Sequence, residues 1–460
     1  MEMLVESLPI LMFLSLGILL FSGYPVAFVL GGIGLGFAFI GDWLGVFNVA
    51  RLMVVPSRIF GGTMEAPVLV AIPMFIYMGT MLEKSGVARD LLYCLQVLTR
   101  RVPGGLALSV TLMGTIMAAT TGIIGASVVM MTLLALPVML ERGYNKSLAT
   151  GTIAASGTLG ILIPPSIMLV IMSDLLSIPV GTVFIAAIIP GLLLSSLYCI
   201  YIFAVCHIKP ELAPPLPDDI GPSDRGEFWA MILKSFLPPI LLIVVVLGSI
   251  FAGFATPTEA AGVGAIGATV LAIWNRKLDW GTLKDVCDRS ALTTAMLFGI
   301  FVGATCFSLM FRWLGGEALI DEFIAEWGVG PWGILFVLMA MIFFLGFFFD
   351  WIEITLIVLP VFGPIVGKLD FGGHVGEYAA IANAGVIWFT ILVSVNLQTS
   401  FLTPPFGFAL FYMKGVAPAG VTIQHIYKGI IPFVLLQLTG LGLVVLFPEL
   451  ALWLPGKLLE

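Results

Sequence analysis

Two apolar stretches of this sequence contain residue types that interrupt a helix and free backbone groups for ligand binding. The first, residues 151–166, has three glycines and the pair Pro164-Pro165. Glycine and proline both weaken the helical hydrogen-bond ladder. In hydrocarbon an unpaired C=O or N–H costs several kcal/mol, so a break persists only inside protein or beside a wet cavity. The freed carbonyl oxygens are suitable ligands for a hard cation.

The second stretch, residues 396–407, repeats the pattern about 240 residues later in the chain. Leu402-Thr403-Pro404-Pro405 matches Leu162-Ile163-Pro164-Pro165. Proline kinks in ordinary membrane spans would explain either stretch alone. Two interrupted segments at corresponding places in two halves indicate the binding site of a transporter.

Two short tips, residues 120–127 and 346–355, are predicted to point at these stretches. Carboxyl ends of half-helices attract Na⁺, and amino ends attract an anionic carboxylate. Asp350 and Glu353 are acids set deep in apolar sequence, which makes them functional candidates. A solvated or helix-capping role for both fits the sequence equally well, and protonation of Asp350 is an alternative to Na⁺ binding.

The composition defines a membrane protein. Of the 460 residues, 60% are hydrophobic and 10% are charged, and the mean hydropathy is +1.13. A soluble domain carries about 25% charged residues. The net charge of -7 says little about nucleic acid, and because the sequence has no basic run we expect no such partner. Because the sequence has no P-loop, HExxH or GxSxG motif, we expect no enzyme and no organic cofactor, and energy must come from an ion gradient.

Apolar runs of about 20 residues, the length that crosses a bilayer, occur five times in each half. A pair of shorter apolar pieces in each half predicts a re-entrant hairpin. Amphipathic stretches between them are expected along the interface, near 49–60, 88–101, 282–290 and 317–327. The predicted spans are 4–21, 24–41, 66–82, 148–175 and 180–206, then 231–252, 257–274, 290–312, 379–413 and 421–447, with hairpins at 104–140 and 331–367.

These elements predict an all-α polytopic membrane protein of two inverted repeats, residues 1–207 and 231–460, joined by a proline-rich cytoplasmic linker at 208–230. An odd number of crossings per half turns the second half upside down. The broken helices are then 148–175 and 379–413.

On this topology, most of the basic residues lie on one face of the membrane. Of the 20 Lys and Arg residues, only Arg51, Arg58, Arg312, Lys368 and Lys457 fall on one face. The richer face is assigned to the cytoplasm, which places both termini outside.

One glycine pattern resembles a dinucleotide-binding motif but lacks its context. Gly262, Gly264 and Gly267 have the spacing, yet no strand precedes them. Thr256-Pro257-Thr258-Glu259 instead predicts a helix start with a capping box, so the glycines are expected to allow close helix packing.

The ordered set of motifs resembles the large membrane subunit of the tripartite ATP-independent periplasmic (TRAP) transporters. The points of similarity are Gly151-Thr152, Gly157-Thr158-Leu159-Gly160, Ile163-Pro164-Pro165-Ser166, Thr256-Pro257-Thr258-Glu259-Ala260, Phe349-Asp350 and Leu402-Thr403-Pro404-Pro405-Phe406-Gly407. They span both halves. The first tip, Gly122-Ile123-Ile124-Gly125, and the aromatic run Phe347-Phe348-Phe349 depart from the family pattern.

This resemblance implies an elevator-type, Na⁺-coupled importer of a small organic acid, such as a dicarboxylate, in a bacterial inner membrane. It implies a small four-helix membrane subunit and a periplasmic substrate-binding protein as partners. The Na⁺ candidates carried over are Gly122, Gly125, Ser127, Gly157, Thr158, Gly160, Gly346, Asp350, Asn396, Thr399 and Thr403. The substrate candidates are Ser156, Pro164, Ser166, Ser400 and Pro404.

Two other functions stay open at this point. A stand-alone ion-coupled carboxylate carrier would share the inverted repeat but need no binding protein. An intramembrane enzyme could use Asp350 and Glu353 on one helix face, but the sequence offers no partner base for them.

Overall fold

The computed structural model describes residues 5–121, 124–217, 220–222, 224–404 and 407–458, and these residues contain helices and no strand. Nine of the helices in this part of the chain are long and apolar enough to cross a membrane. The predicted fold class, an all-α polytopic membrane protein, is confirmed.

The first half contains ten α-helices and four short stretches of other helix types, among them the 3₁₀ turn Leu159–Ile161. A 3₁₀ turn, Val49–Met53, precedes α3, and a π-helical turn, Phe60–Met64, follows it. A further 3₁₀ turn, Pro67–Val70, leads into α4. The α-helices are α1 (Leu8–Leu20), α2 (Val26–Trp43), α3 (Val54–Ile59), α4 (Ala71–Lys84), α5 (Val87–Thr99), α6 (Gly105–Thr121), α7 (Ile124–Glu141), α8 (Lys146–Thr158), α9 (Ile167–Leu175) and α10 (Val180–Ile208).

The second half is built from α11 (Arg225–Ser235), α12 (Leu237–Phe251), α13 (Pro257–Trp274), α14 (Trp280–Trp313), α15 (Gly316–Trp327), α16 (Pro331–Leu345), α17 (Trp351–Val366), α18 (Gly373–Gly376), α19 (Ala384–Leu402), α20 (Phe408–Val416), α21 (Ile423–Leu446) and α22 (Glu449–Leu458). α14 is continuous over 34 residues, so the separate interfacial stretch predicted at 282–290 is wrong. No glycine or proline lies between 282 and 298 to end the helix there.

α4 and α13 lie side by side and run in the same direction. Thr258 Oγ1 donates to the Pro67 carbonyl at 2.8 Å, and the Tyr77 and Thr269 hydroxyls are 3.1 Å apart. At the far end Asn275 Nδ2 donates to the Ser85 carbonyl at 3.2 Å. The contact therefore extends along the full length of both helices.

The predicted capping box at the start of α13 is confirmed. The Glu259 carboxylate accepts from the Thr256 amide at 2.8 Å, and the Glu259 amide donates to Thr256 Oγ1 at 3.3 Å. A Cβ at Gly264 would lie 2.5 Å from Met78 Sδ, and one at Gly267 would lie 2.4 Å from Leu242 Cδ1. Close helix packing is therefore confirmed for Gly264 and Gly267, whereas a Cβ at Gly262 would meet nothing within 4 Å.

α2 and α14 form a second parallel pair of the same kind. A Cβ at Gly34 would lie 2.9 Å from Cys306 Sγ, and one at Gly303 would lie 2.3 Å from the Ala27 carbonyl oxygen. Small residues let the two backbones approach, which is how membrane helices gain packing energy without a hydrophobic driving force.

The two broken helices occupy the centre of the molecule. α8 packs on α21, where a Cβ at Gly151 would meet the Gly429 carbonyl oxygen at 2.1 Å. α19 packs on α10 and on α21, and Trp388 Nε1 donates to the Val444 carbonyl at 2.9 Å. Every residue from Leu148 to Thr158 is buried. The surrounding helices therefore cover the segments that carry the breaks.

Candidate functional site

The first broken helix stops where the sequence predicts. Asn145 caps α8 by accepting from the Ser147 and Leu148 amides at 3.0 and 3.2 Å. The helix ends at Thr158, and a 3₁₀ turn, Leu159–Ile161, follows it. The bond between Pro164 and Pro165 is cis. Proline has no N–H to donate, so the ladder cannot continue through this pair.

A hairpin of α6 and α7 closes over this break. Its base is held by the Leu106 amide, which donates to the Tyr144 hydroxyl at 3.2 Å. Ser156 Oγ donates to Thr111 Oγ1 at 3.2 Å. A Cβ at Gly157 would lie 2.6 Å from Val128 Cγ2. The broken helix thus touches both arms of the hairpin.

Most of the predicted residues of the first site are buried, and two of them make local hydrogen bonds. The Thr158 hydroxyl donates to the Ala155 carbonyl at 2.9 Å, and the Ser166 hydroxyl donates to the Ile161 carbonyl. Ser127, Gly160 and Pro164 are buried as well. Gly122 lies outside the described residues.

The second broken helix, α19, ends at Leu402, and α20 begins at Phe408. The Thr399 hydroxyl donates to the Asn396 carbonyl at 2.6 Å, and the Thr403 hydroxyl donates to the Thr399 carbonyl at 2.5 Å. Asn396 Nδ2 donates to the Met339 carbonyl on α16 at 2.7 Å. Pro404 is half-buried at the end of the helix.

This second site contains buried oxygens without a partner. Within the described ranges no hydrogen bond is made by Asn396 Oδ1, by Ser400 Oγ or by the Gln398 amide group. Asn396 and Ser400 are four residues apart and so lie on one face of α19. A Cβ at Gly346 would lie 1.9 Å from Ser400 Oγ, so this face meets the start of the second tip.

The second tip carries the acids that the sequence analysis singled out. Asp350 Oδ1 accepts from the Trp351 amide at 2.8 Å, and Glu353 Oε2 accepts from the Asp350 amide at 3.0 Å. This is a capping box that begins α17. The Asp350 side chain also reaches the wall of a cavity.

That cavity, about 500 Å³, lies between the two tips. Gly125 of the first tip and Asp350 of the second both line it. Tyr412 of α20 covers the first tip, because a Cβ at Gly125 would lie 3.0 Å from its ring. The five predicted substrate residues are not among the described lining residues. The cavity is large enough for a small organic molecule.

α4 and α14 supply the remaining wall and its charges. Arg289 of α14 and Glu83 of α4 line the cavity. Arg289 Nε donates to Asp285 Oδ1 at 3.0 Å, and Asp285 Oδ2 pairs with Lys84 Nζ at 2.8 Å. A guanidinium can bind a carboxylate through two parallel hydrogen bonds.

Sequence reasoning missed Arg289, Glu83, Gln398 and Tyr412. Arg289 lies in the segment that was predicted to be a separate interfacial helix, so its place on a cavity wall was hidden. Gln398 lies in the second interrupted stretch, in the last turns of α19. A polar amide side chain in an apolar run could have marked it as a candidate site residue.

Comparison with known proteins defines the family. Residues 13–450 match the DctM family, described as "Tripartite ATP-independent periplasmic transporter, DctM component". The chain is 32% identical over 400 residues to the C4-dicarboxylate TRAP transporter large permease protein DctM of Pseudomonas aeruginosa, covering 86% of this chain and 88% of that protein. It is 28% identical to the ectoine/5-hydroxyectoine TRAP transporter large permease protein UehC of Ruegeria pomeroyi, covering 96% and 97%.

The fold resembles a solved transporter. The crystal structure of the Alcanivorax borkumensis YdaH transporter superposes with a TM-score of 0.59 at 16% identity, covering 88% of this chain and 89% of that one. The family match and the P. aeruginosa relative confirm the family that the motifs indicated: the chain belongs to the DctM family of TRAP transporter large permeases, which are transport subunits and not enzymes.

Proposed function

We propose that this permease couples Na⁺ to the uptake of a small organic acid by an elevator mechanism. The observation that carries the proposal is the cavity between the two tips, which has one guanidinium, Arg289, on its wall. A cavity shared by two tips and two long neighbouring helices can be exposed to either side when one set of elements moves past the other.

The substrate is proposed to be a carboxylate held in this cavity. Arg289 provides a permanent positive charge, while Asp350 and Glu83 provide negative charge nearby. A carboxylate on Arg289 would stay close to the amino end of α17, which also favours an anion. The P. aeruginosa relative is named for C4-dicarboxylates, which supports this class of substrate.

Na⁺ is proposed to bind at the second broken helix. Asn396 Oδ1 and Ser400 Oγ are buried and lack partners within the part of the chain that is described. An unpaired buried polar group costs about 1–3 kcal/mol unless something satisfies it. Oxygen ligands suit a hard cation, and backbone carbonyls near Gly346 would complete the shell. The corresponding first site would use Thr158 and the backbone of Gly157 and Gly160.

An elevator mechanism needs one part of the protein that moves and one that stays fixed, and the helix packing is consistent with such a division. The hairpins and broken helices are proposed to move, and the paired spans α2 with α14 and α4 with α13 are proposed to stay fixed. α4 also lies antiparallel to α14, since the two helices pack together and Lys84, at the carboxyl end of α4, pairs with Asp285, near the amino end of α14. Helices that correspond in the two halves therefore run in opposite directions, which supports the inverted repeat.

The partners are proposed from the family. A DctM component of a tripartite transporter acts with a small membrane subunit and a periplasmic binding protein in a bacterial inner membrane. This favours the tripartite system over a stand-alone carrier. The distribution of Lys and Arg supports placing both termini of this chain outside.

Uptake into proteoliposomes tests the proposal. We expect accumulation of a radiolabelled C4-dicarboxylate, or of an acid that the partner binding protein selects, only with all three components and an inward Na⁺ gradient. Equal uptake after Na⁺ is replaced by choline would exclude the coupling. Equal uptake without the binding protein would favour the stand-alone carrier.

A further inference from the structure

A second concave surface lies apart from the transport cavity. This groove, about 680 Å³, is formed by α5, α11, α12 and α13 and shares no described lining residue with the cavity between the tips. Leu241, Val245, Val263 and Val270 line it, and each is about half exposed. An open apolar groove on membrane helices fits a hydrocarbon chain.

One end of the groove is basic. Lys234 and Trp274 line both the groove and an adjoining cavity of about 880 Å³, which also contains Arg276 and Lys277. The side chains of Lys234, Arg276 and Lys277 make no ion pair or hydrogen bond with any described residue. Asp90 and Glu83 are the acids on the described lining of the groove and the adjoining cavity, against the basic residues Lys84, Arg89, Lys234, Arg276 and Lys277, so the rim is positively charged overall.

The backbone conformation at this rim is a second feature of its basic residues. Arg276 follows α13 with φ at 53°, a left-handed conformation that glycine adopts at less cost. The chain nevertheless places an arginine there. The Lys277 side chain lies over Gly86, with its Cε 3.7 Å from where a Cβ would be, at the residue that precedes the first turn of α5.

Exposed tryptophans mark the level of the membrane surface. Trp229, Trp274 and Trp280 are each at least 60% exposed; they lie near the amino end of α11, at the carboxyl end of α13 and at the amino end of α14. Tryptophan concentrates where lipid head groups meet the hydrocarbon. The basic rim is therefore at head-group level, and the apolar groove extends from it toward the hydrocarbon.

We propose that this groove binds one anionic phospholipid. Its phosphate would lie among Lys234, Arg276 and Lys277, and one acyl chain would lie along α12 and α13. Basic pockets between membrane helices bind anionic head groups in this way. A zwitterionic lipid would fill the groove equally well but would gain less from the three cations.

Native mass spectrometry of the full chain, purified from membranes with any subunit that copurifies, tests the proposal. After exchange into detergent with phosphatidylglycerol or phosphatidylcholine, we expect at least tenfold more retained phosphatidylglycerol. The double variant Lys234→Ala/Lys277→Ala should lose this preference. The matched control Lys368→Ala/Lys457→Ala, on the opposite predicted face, should keep it.

A second variant separates the acyl-chain contact from the charge. Val270→Trp should fill the groove and reduce retention of both lipids while the protein still elutes as one peak. Equal retention of both lipids by the unaltered protein, or no effect of either variant, would overturn the proposal. Cross-linking of Val270→Cys to a copurified subunit would also overturn it, because a protein helix would then occupy the groove.

Discussion

The two broken helices differ in how their polar groups are satisfied. At the first, Ser156 bonds to Thr111, Thr158 bonds to Ala155, and Ser166 bonds to Ile161. At the second, Asn396 Oδ1 and Ser400 Oγ lack partners among the residues described. The two segments therefore differ in where their unpartnered oxygens lie: Asn396 and Ser400 are close to the second break, whereas in the first segment Thr152 Oγ1, six residues before the end of α8, lacks a described partner.

The difference shows that breaking a helix does not by itself create a ligand site. At the first break, the Ala155 and Ile161 carbonyls and the Thr111 hydroxyl accept the hydroxyl protons, although each donating hydroxyl oxygen keeps lone pairs. At the second, buried oxygens are left over, and a bound ion would recover the cost of burying them. The second tip also carries the acid Asp350, whereas the described part of the first tip has none. We therefore expect ion binding to depend more on the second site.

The largest effect is expected from adding a side chain at Gly346, where α19 packs against the second tip. A Cβ there would lie 2.5 Å from Ser400 Cβ, which no rotation of the serine can relieve. Gly346→Val should abolish Na⁺-driven uptake in proteoliposomes. At the first site, Gly157→Ala meets the movable Val128 Cγ2 methyl at 2.6 Å and should retain part of the activity. Gly36→Ala, which has nothing within 4 Å, is the control. Equal losses of uptake in Gly346→Val and Gly157→Ala would contradict the proposed difference between the two broken helices.

Arg289 tests whether the cavity between the two tips binds an anion. Arg289→Gln removes a charged donor, and we expect the substrate KM for uptake to rise about tenfold or more, since charge-assisted hydrogen bonds contribute about 1.5–3 kcal/mol. Arg289→Lys should recover part of the loss because it restores the charge without the paired geometry. Arg142→Gln, at an exposed basic residue outside this cavity, serves as the control. An unchanged KM would place the carboxylate elsewhere.

Ser400 and Ser156 form the sharpest pair. Removing the unpartnered hydroxyl in Ser400→Ala should weaken apparent Na⁺ affinity about fivefold with little change in stability, whereas Ser156→Ala should cost about 1 kcal/mol of stability and leave Na⁺ affinity nearly unchanged. Uptake against Na⁺ concentration and thermal unfolding measure the two effects. The reverse result would assign the ion to the first site.

The smallest effect is expected at the acid of the second tip. Asparagine caps a helix as well as aspartate does, so Asp350→Asn should keep α17 intact. If the carboxylate contributes to ion binding, apparent Na⁺ affinity should fall about threefold, a loss of less than 1 kcal/mol. Glu353→Gln, which keeps the bond to the Asp350 amide, is the matched control. A loss of uptake in both variants together would point to the capping box and not to ion binding.

Much of the architecture was predictable from local sequence. Glycine and proline act on their own backbone, so both breaks follow from residue type. The box of Thr256 and Glu259 depends on residues three apart, and its prediction is confirmed. The boundary at 282–290 was wrong because polar residues in the first turns of a long helix were read as a separate element.

The sequence by itself determined that this is an all-helical membrane protein of the DctM family, and where its helices break. Only the tertiary structure decided that Arg289 and Asp350 share a cavity, that Tyr412 covers Gly125, and that Ser400 is left without a partner. The physical reason is distance along the chain. Propensity and capping act over a few residues, whereas the partner of a buried oxygen is set by helices that lie far apart in sequence and meet only on folding.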